Sequence, residues 1–178
     1  ATGRSYRFSV SDPRPLQVGH MPTHVARDGS LQLYSTGYWG RDLERTLWAS
    51  ADGGLTWVQR PNPPGGRIEN LALSPVDARA IYAVSVERPQ NAPARYSIAF
   101  SADAGATWQE RFSGEAGGSY GGPYVTLNLF DGANVPAPML ALTINPGYPG
   151  SSNRQQLLVS DDGGRSFNEA GTLGLGGW

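Results

Sequence analysis

Ser50-Ala51-Asp52-Gly53-Gly54-Leu55-Thr56-Trp57 returns as Ser101-Ala102-Asp103-Ala104-Gly105-Ala106-Thr107-Trp108 and again as Ser160-Asp161-Asp162-Gly163-Gly164-Arg165-Ser166-Phe167. All three fit S-x-D-x-G-x-[ST]-[WF]. Each is read as a hairpin: an apolar strand ends at Ser, a D-x-G turn reverses the chain, and Trp or Phe begins the return strand. The Asp carboxylate can accept backbone N–H bonds inside its own turn, and Gly takes positive φ without a Cβ clash. Ser and Thr hydroxyls can add bonds to the same turn, while the aromatic ring covers the hairpin base.

The marked Asp residues lie 51 and 59 positions apart. That spacing suits one four-stranded blade of a β-propeller per repeat. The motif resembles the Asp-box, or BNR repeat, of bacterial sialidases, two-propeller endoglucanases, sortilin-type receptors and photosystem-assembly propellers. The resemblance implies an all-β, propeller-type fold with the box turn at the blade rim, away from the central ligand-binding face. Asp52, Asp103 and Asp162, with Ser50, Gly54, Thr56, Trp57, Ser101, Gly105, Thr107, Trp108, Ser160, Gly164, Ser166 and Phe167, are therefore expected to be scaffold rather than catalytic residues. Trp57 and Trp108 are expected to be largely buried.

Composition agrees with a single all-β domain over residues 1–178. The 24 Gly and 14 Pro interrupt the chain too often for long helices. A net charge of −1 provides no electrostatic argument for nucleic acid or an anionic membrane. All 14 cations are Arg, a bias attributed first to a GC-rich bacterial genome and second to bidentate pairing. Without Cys there is neither a disulfide framework nor a thiolate metal site. The longest apolar stretch, Val135 to Ile144, contains two prolines and is too short to span a bilayer. A start at Ala1 suggests leader removal or a fragment, and the families resembled favour export to the periplasm or beyond.

Each box falls between the third and fourth strands of a unit, giving blades at approximately 16–60, 67–112 and 120–170. The second is the most regular, with strands at Ile68 to Ser74, Ala80 to Val86, Arg95 to Ser101 and Thr107 to Phe112. The third runs through Val125 to Phe130, Leu140 to Ile144, Gln155 to Ser160 and Ser166 to Ala170. The first uses Thr23 to Ala26, Leu31 to Thr36, Arg45 to Ser50 and Thr56 to Arg60, preceded by an extra strand at Tyr6 to Val10. Propellers usually close with four to eight blades, so three leave strand edges and blade faces to be covered. A longer parent chain, a two-fold six-blade assembly, a partner protein and a different packing of the hairpins all answer this. A longer chain or a partner is favoured over symmetric closure, because ring closure between separate chains is geometrically demanding.

The search for chemistry is mostly negative. Sialidase resemblance implies an Arg triad, a Tyr nucleophile backed by a carboxylate, and an Asp acid. Residues of those types include Arg41, Arg67, Arg88, Arg95, Tyr96, Tyr120, Tyr124, Glu69 and Glu115. The family's aromatic-Arg-Ile-Pro motif is absent, since Tyr6-Arg7-Phe8-Ser9 departs from it at the last two positions. No carboxylate pair for other glycoside hydrolysis can be chosen among six Glu and nine Asp. His20 and His24 have i, i+4 spacing, but Pro22 between them argues against a helical metal pair. Asp161-Asp162 lacks the alternating oxygen ligands of a calcium loop. Gly114 to Tyr124 is Gly-rich without a G-K-[ST] ending, so it reads as a long connection rather than a phosphate loop. No cofactor or metal is expected. Tyr38, Trp39, Tyr120, Tyr124 and Tyr148 place aromatics in connections, where they can contact protein or sugar or pack over blade edges. The sequence reading is a non-catalytic interaction module docking on a larger complex, as photosystem-assembly propellers do. A sialidase-type glycosidase fragment and a carbohydrate-binding propeller are its alternatives.

Overall fold

The computed structural model describes residues 24–25, 30, 32–35, 47–52, 56–89, 92–116, 124–130, 137–145 and 154–174. Among them there is no helix, and the chain is all-β. The first sheet comprises β1 (His24–Val25), β2 (Gln32–Ser35), β3 (Leu47–Ser50) and β4 (Val58–Arg60). The second comprises β5 (Arg67–Leu73), β6 (Ile81–Glu87), β7 (Ala94–Ser101) and β8 (Gln109–Ala116). The third comprises β9 (Tyr124–Phe130), β10 (Met139–Asn145), β11 (Arg154–Ser160) and β12 (Asn168–Gly174). Each is a four-stranded antiparallel meander of consecutive strands.

Side-chain periodicity explains which sheet sits in the middle. In β9, Val125 and Leu127 are buried while Tyr124, Thr126 and Asn128 are exposed, the period of two expected when one face of a strand is covered. In β6, six consecutive residues from Ile81 to Val86 are buried, so both faces are covered. Ile81 and Ala83 join Leu47, Ala49, Ile68 and Leu71 in a core between the first and second sheets. Tyr82, Val84 and Val86 join Tyr96, Ile98, Leu127, Leu140, Leu142 and Leu158 in a larger core between the second and third. The second sheet is thus packed between the other two. The opening strands are also neighbours in chain order, with β5 beside β1 and beside β9.

The strands match the sequence expectations closely, with three corrections. The return strand after each box begins one residue beyond the aromatic, at Val58, Gln109 and Asn168. The turn extends that far because the Asp carboxylate still holds the Thr or Ser just before the aromatic. Gly114, Glu115 and Ala116 are not connection but the end of β8, where Gly114 pairs with Tyr96. An added Cβ at Gly114 would lie 2.4 Å from the Tyr96 hydroxyl oxygen, so glycine here serves close cross-strand packing. Tyr124, expected in a connection, is the first residue of β9. The Tyr6 to Val10 strand and residues Tyr38, Trp39, Gly54, Tyr120 and Tyr148 lie outside the described residues.

Candidate functional site

The three boxes share the same hydrogen bonds among their Ser, Asp and Thr or Ser side chains. In the second, the Ser101 hydroxyl donates to Asp103 Oδ1 at 2.8 Å and accepts the Gly105 N–H at 2.8 Å. The Thr107 N–H donates to Asp103 Oδ1 at 2.8 Å, and the Thr107 hydroxyl donates to Oδ2 at 2.6 Å. The third repeats this with Ser160, Asp162 and Ser166, and its carboxylate also accepts the Arg165 N–H at 2.8 Å. In the first, the Ser50 hydroxyl and the Thr56 N–H and hydroxyl all donate to Asp52. Both oxygens of each carboxylate are thus engaged inside the turn that carries them. Gly105 and Gly164, at φ +80° and +83°, take the left-handed conformation the pattern requires. Ala104 also adopts positive φ, at 59°.

The second and third boxes are each tied to their own sheet and to the one before it. The Ala104 N–H donates to the Arg79 carbonyl at 2.9 Å, and the Gly163 N–H donates to the Pro138 carbonyl at 3.2 Å. These carbonyls occupy equivalent places, two residues ahead of Ile81 and Leu140, which pair with the box serines. Across to the preceding sheet, a Cβ at Gly105 would stand 3.3 Å from Leu47 and 3.8 Å from Arg60. One at Gly164 would stand 4.0 Å from Ile98 and 3.7 Å from Tyr82. Leu47 and Ile98 each lie three residues before their own sheet's box serine. The box turn of one sheet therefore seats on the same position of the sheet before it.

The box aromatics reinforce this seating. The Trp108 indole N–H donates to the Pro61 carbonyl at 2.9 Å, joining the second box to the chain leaving the first sheet. Phe167 packs on Phe112 of β8 with ring centroids 4.8 Å apart. Trp57 is 8% exposed, as expected, whereas Trp108 is half-buried against the first core rather than fully enclosed. Its polar edge finds a carbonyl near the surface, which full burial does not require.

The carboxylates of Asp103 and Asp162 are held ionised. Donation from Thr107, first through its hydroxyl and then its N–H, lowers Asp103 to about 2. Ser166 does the same at Asp162 and holds it further below the usual carboxylate range. A general acid needs a proton near neutral pH, so these carboxylates serve the turn instead. A depressed folded pKa contributes stability above the unfolded value of about 3.9 and loses it as pH falls through the folded value. The melting temperature is therefore expected to be level above about pH 5 and to fall between about pH 4 and pH 2. Asp103→Asn is expected to melt below the parent protein at pH 7, with the gap narrowing towards pH 2, as read by circular dichroism melts across pH. A gap that stays constant would remove the carboxylate's charge from the account.

The residues of sialidase type are only partly assembled. Glu69 receives Arg88 at 3.0 Å and Arg67 at 3.7 Å, so two guanidinium groups converge on a carboxylate of the chain itself. Tyr96 is buried, and burial pushes its hydroxyl pKa up, opposite to the need of a nucleophile. Arg41 and Tyr120 lie outside the described residues. Among the described residues no cluster of three or more His, Asp or Glu could hold a metal ion, and no helix is long and apolar enough to cross a membrane. Tyr124 is 51% exposed on β9. It shares one face of the third sheet with Phe130, 57% exposed, and Met139, 39% exposed, and these last two pair directly. The sequence reading missed Phe130 and Met139. They belong to strands of alternating burial, and their exposure depends on which face another sheet covers.

Comparison with protein-family models and with curated proteins finds no match.

Proposed function

We propose that this chain is a propeller-type Asp-box domain, with its three sheets as successive blades, exported from a bacterium and acting as a non-catalytic interaction module on a larger complex. Support for the blade arrangement comes from three like meanders in chain order, opening strands side by side, and box turns seated in one direction. Tyr124 and Phe130, exposed on a sheet whose opposite face is core, carry the interaction reading. Photosystem-assembly propellers are its nearest functional type, by analogy of fold. The glycosidase reading is disfavoured by box carboxylates locked in their turns and by Glu69 occupying Arg67 and Arg88. Carbohydrate binding could use the same exposed Tyr124, and a glycan array separates it.

A photo-cross-linking amino acid in place of Tyr124, in cells exporting the protein, is expected to give a discrete adduct with another protein. The same probe at the exposed turn residue Val76 is expected to give none. Turnover of fluorogenic glycosides, sialosides included, or glycan-array binding without a protein adduct would overturn the proposal.

A further inference from the structure

We infer that the Asp162–Gly163 bond is a latent site of isoaspartate formation, kept closed by the third box itself and released when that box loosens. Where Gly follows Asp, the backbone nitrogen can reach the carboxyl carbon of the preceding side chain without a Cβ in its way. The Gly163 nitrogen forms a bond to Cγ of Asp162, the hydroxyl of the protonated carboxyl leaves as water with the amide proton, and a five-membered succinimide results. Water then adds to one of the two ring carbonyls and breaks its C–N bond. Addition at the backbone carbonyl leaves the chain running through the side-chain carbon, as isoaspartate. The step needs no oxidant or other reagent, and the water lost is regained.

In the folded protein every participant in that step is engaged elsewhere. Gly163 is buried, and its N–H donates to the Pro138 carbonyl at 3.2 Å. Asp162 Oδ1 accepts the Ser160 hydroxyl at 2.8 Å and the N–H groups of Arg165 and Ser166 at 2.8 and 3.0 Å, while Oδ2 accepts the Ser166 hydroxyl at 2.7 Å. Those donors favour the ionised carboxylate, which has no hydroxyl to lose as water. Nitrogen and carboxyl carbon meet productively only after the turn has given up its tie to Pro138 and its internal bonds. The second box is guarded differently. Ala104 stands in the place of Gly163, at φ 59° against 73°, and its N–H makes the equivalent bond to the Arg79 carbonyl. Its methyl group obstructs attack on Asp103 even in an open chain. Residue type thus protects the second box, with a backbone conformation uncommon for alanine, whereas the third relies on its fold alone. Closing the box does not undo the reaction. The extra backbone carbon moves the carboxylate away from Ser160 and Ser166, so a reacted box cannot restore the seating of Gly164 beside Leu140 and Tyr82.

The test incubates the full chain at pH 7, folded and in guanidinium chloride, and counts isoaspartate at each box by electron-based fragmentation of its peptides in a mass spectrometer. In denaturant, Asp162 is expected to isomerise about ten-fold faster than Asp103, and Ala104→Gly should bring the two sites within about two-fold of each other. In the folded protein the rate at Asp162 is expected to fall by about ten-fold or more, in proportion to the fraction of time the box is open. Ser166→Ala removes the donor to Oδ2 and should raise the folded rate at Asp162 about three-fold or more. Ser160→Ala replaces it if that variant does not melt cooperatively. Asp52-Gly53 in the first box carries the same residue pair and reports opening of the whole molecule. A rise confined to Asp162 is therefore local release of the third box. Equal rates at Asp162 and Asp103 in denaturant would overturn the site. Equal folded and denatured rates at Asp162, or a folded rate indifferent to both serine substitutions, would overturn its closure by the box. A matching rise at Asp52 in both variants would assign the release to global unfolding and overturn local opening.

Discussion

Ile98→Ala is expected to lower the free energy of unfolding by about 3–5 kcal/mol, in the upper range for loss of a fully buried branched side chain. Ile98 has no exposed surface and stands in the core between the second and third sheets. It also borders the third box, where a Cβ at Gly164 would stand 4.0 Å from it and 2.9 Å from Leu140 of the third sheet. The void would therefore open below a turn whose close approach depends on contact. Two losses coincide: the transfer energy of the missing carbons, and contacts from a turn that cannot follow them inward because its own hydrogen bonds hold its shape. Ile98→Val, which keeps most of the contact, is expected to cost only about 0.5–1.5 kcal/mol. Val76→Ala, on an exposed turn, should stay within about 0.5 kcal/mol. Urea unfolding followed by fluorescence and circular dichroism checks the order. A cost below about 1 kcal/mol for Ile98→Ala would mean that the third sheet does not depend on this seat.

The meanders were legible because the boxes fix where one strand of each sheet ends. Ser101 and Ser160 close β7 and β11 as expected, and counting back from them locates the earlier strands to within a residue or two. The chemistry of the turn was legible for the same reason: Asp, Gly and Thr act on neighbours in sequence, so their bonds do not await the fold. The start of each return strand was misplaced because the aromatic looks like a strand residue. Asp103 nevertheless holds Thr107 in the turn until Trp108 has passed. Gly114 looked like a connection for a similar reason, since nothing local announces that Tyr96 will lie against it.

Which sheet faces which was hidden more deeply. Ile81 to Val86 announces two covered faces by its lack of alternation, but the partners of Ile81 and Tyr82 come from opposite directions and from remote parts of the chain. Glu69 could be named as acidic from the sequence. Its role as the shared partner of Arg67 and Arg88 requires the pairing of β5 with β6, including the irregularity between Ile68 and Asn70. The interaction face needs one further level of information. Phe130 and Met139 have the alternation of an ordinary half-buried strand, and only the absence of a packed sheet above them among the described residues makes them candidates for contact.

Gly65→Ala should show how strongly the entry to the middle sheet is constrained, with an expected cost of about 2–5 kcal/mol. Gly65 lies between β4 and β5 at φ +89°, a conformation that an L side chain adopts only at about 1–2 kcal/mol. Sterics add to this. A Cβ there would sit 2.4 Å from Ser97 Oγ and 2.5 Å from Ser97 Cβ, with Ser85 Cβ at 3.7 Å. Rotating the Ser97 hydroxyl away cannot relieve the second contact, because its Cβ is fixed by the buried backbone of β7. Either the connection must lift from the second sheet or β7 must shift within it. The two contributions can be separated by Ser97→Gly, which removes both clashing atoms but leaves the left-handed backbone at position 65. The double variant is expected to recover about 1–3 kcal/mol relative to the sum of the single variants, the overpacking share, while the backbone share persists. Urea titrations of the four proteins in this cycle measure the coupling. Strict additivity would show that Gly65 is required for its φ alone, and that close approach to Ser97 does not set how the chain passes from the first sheet into the second.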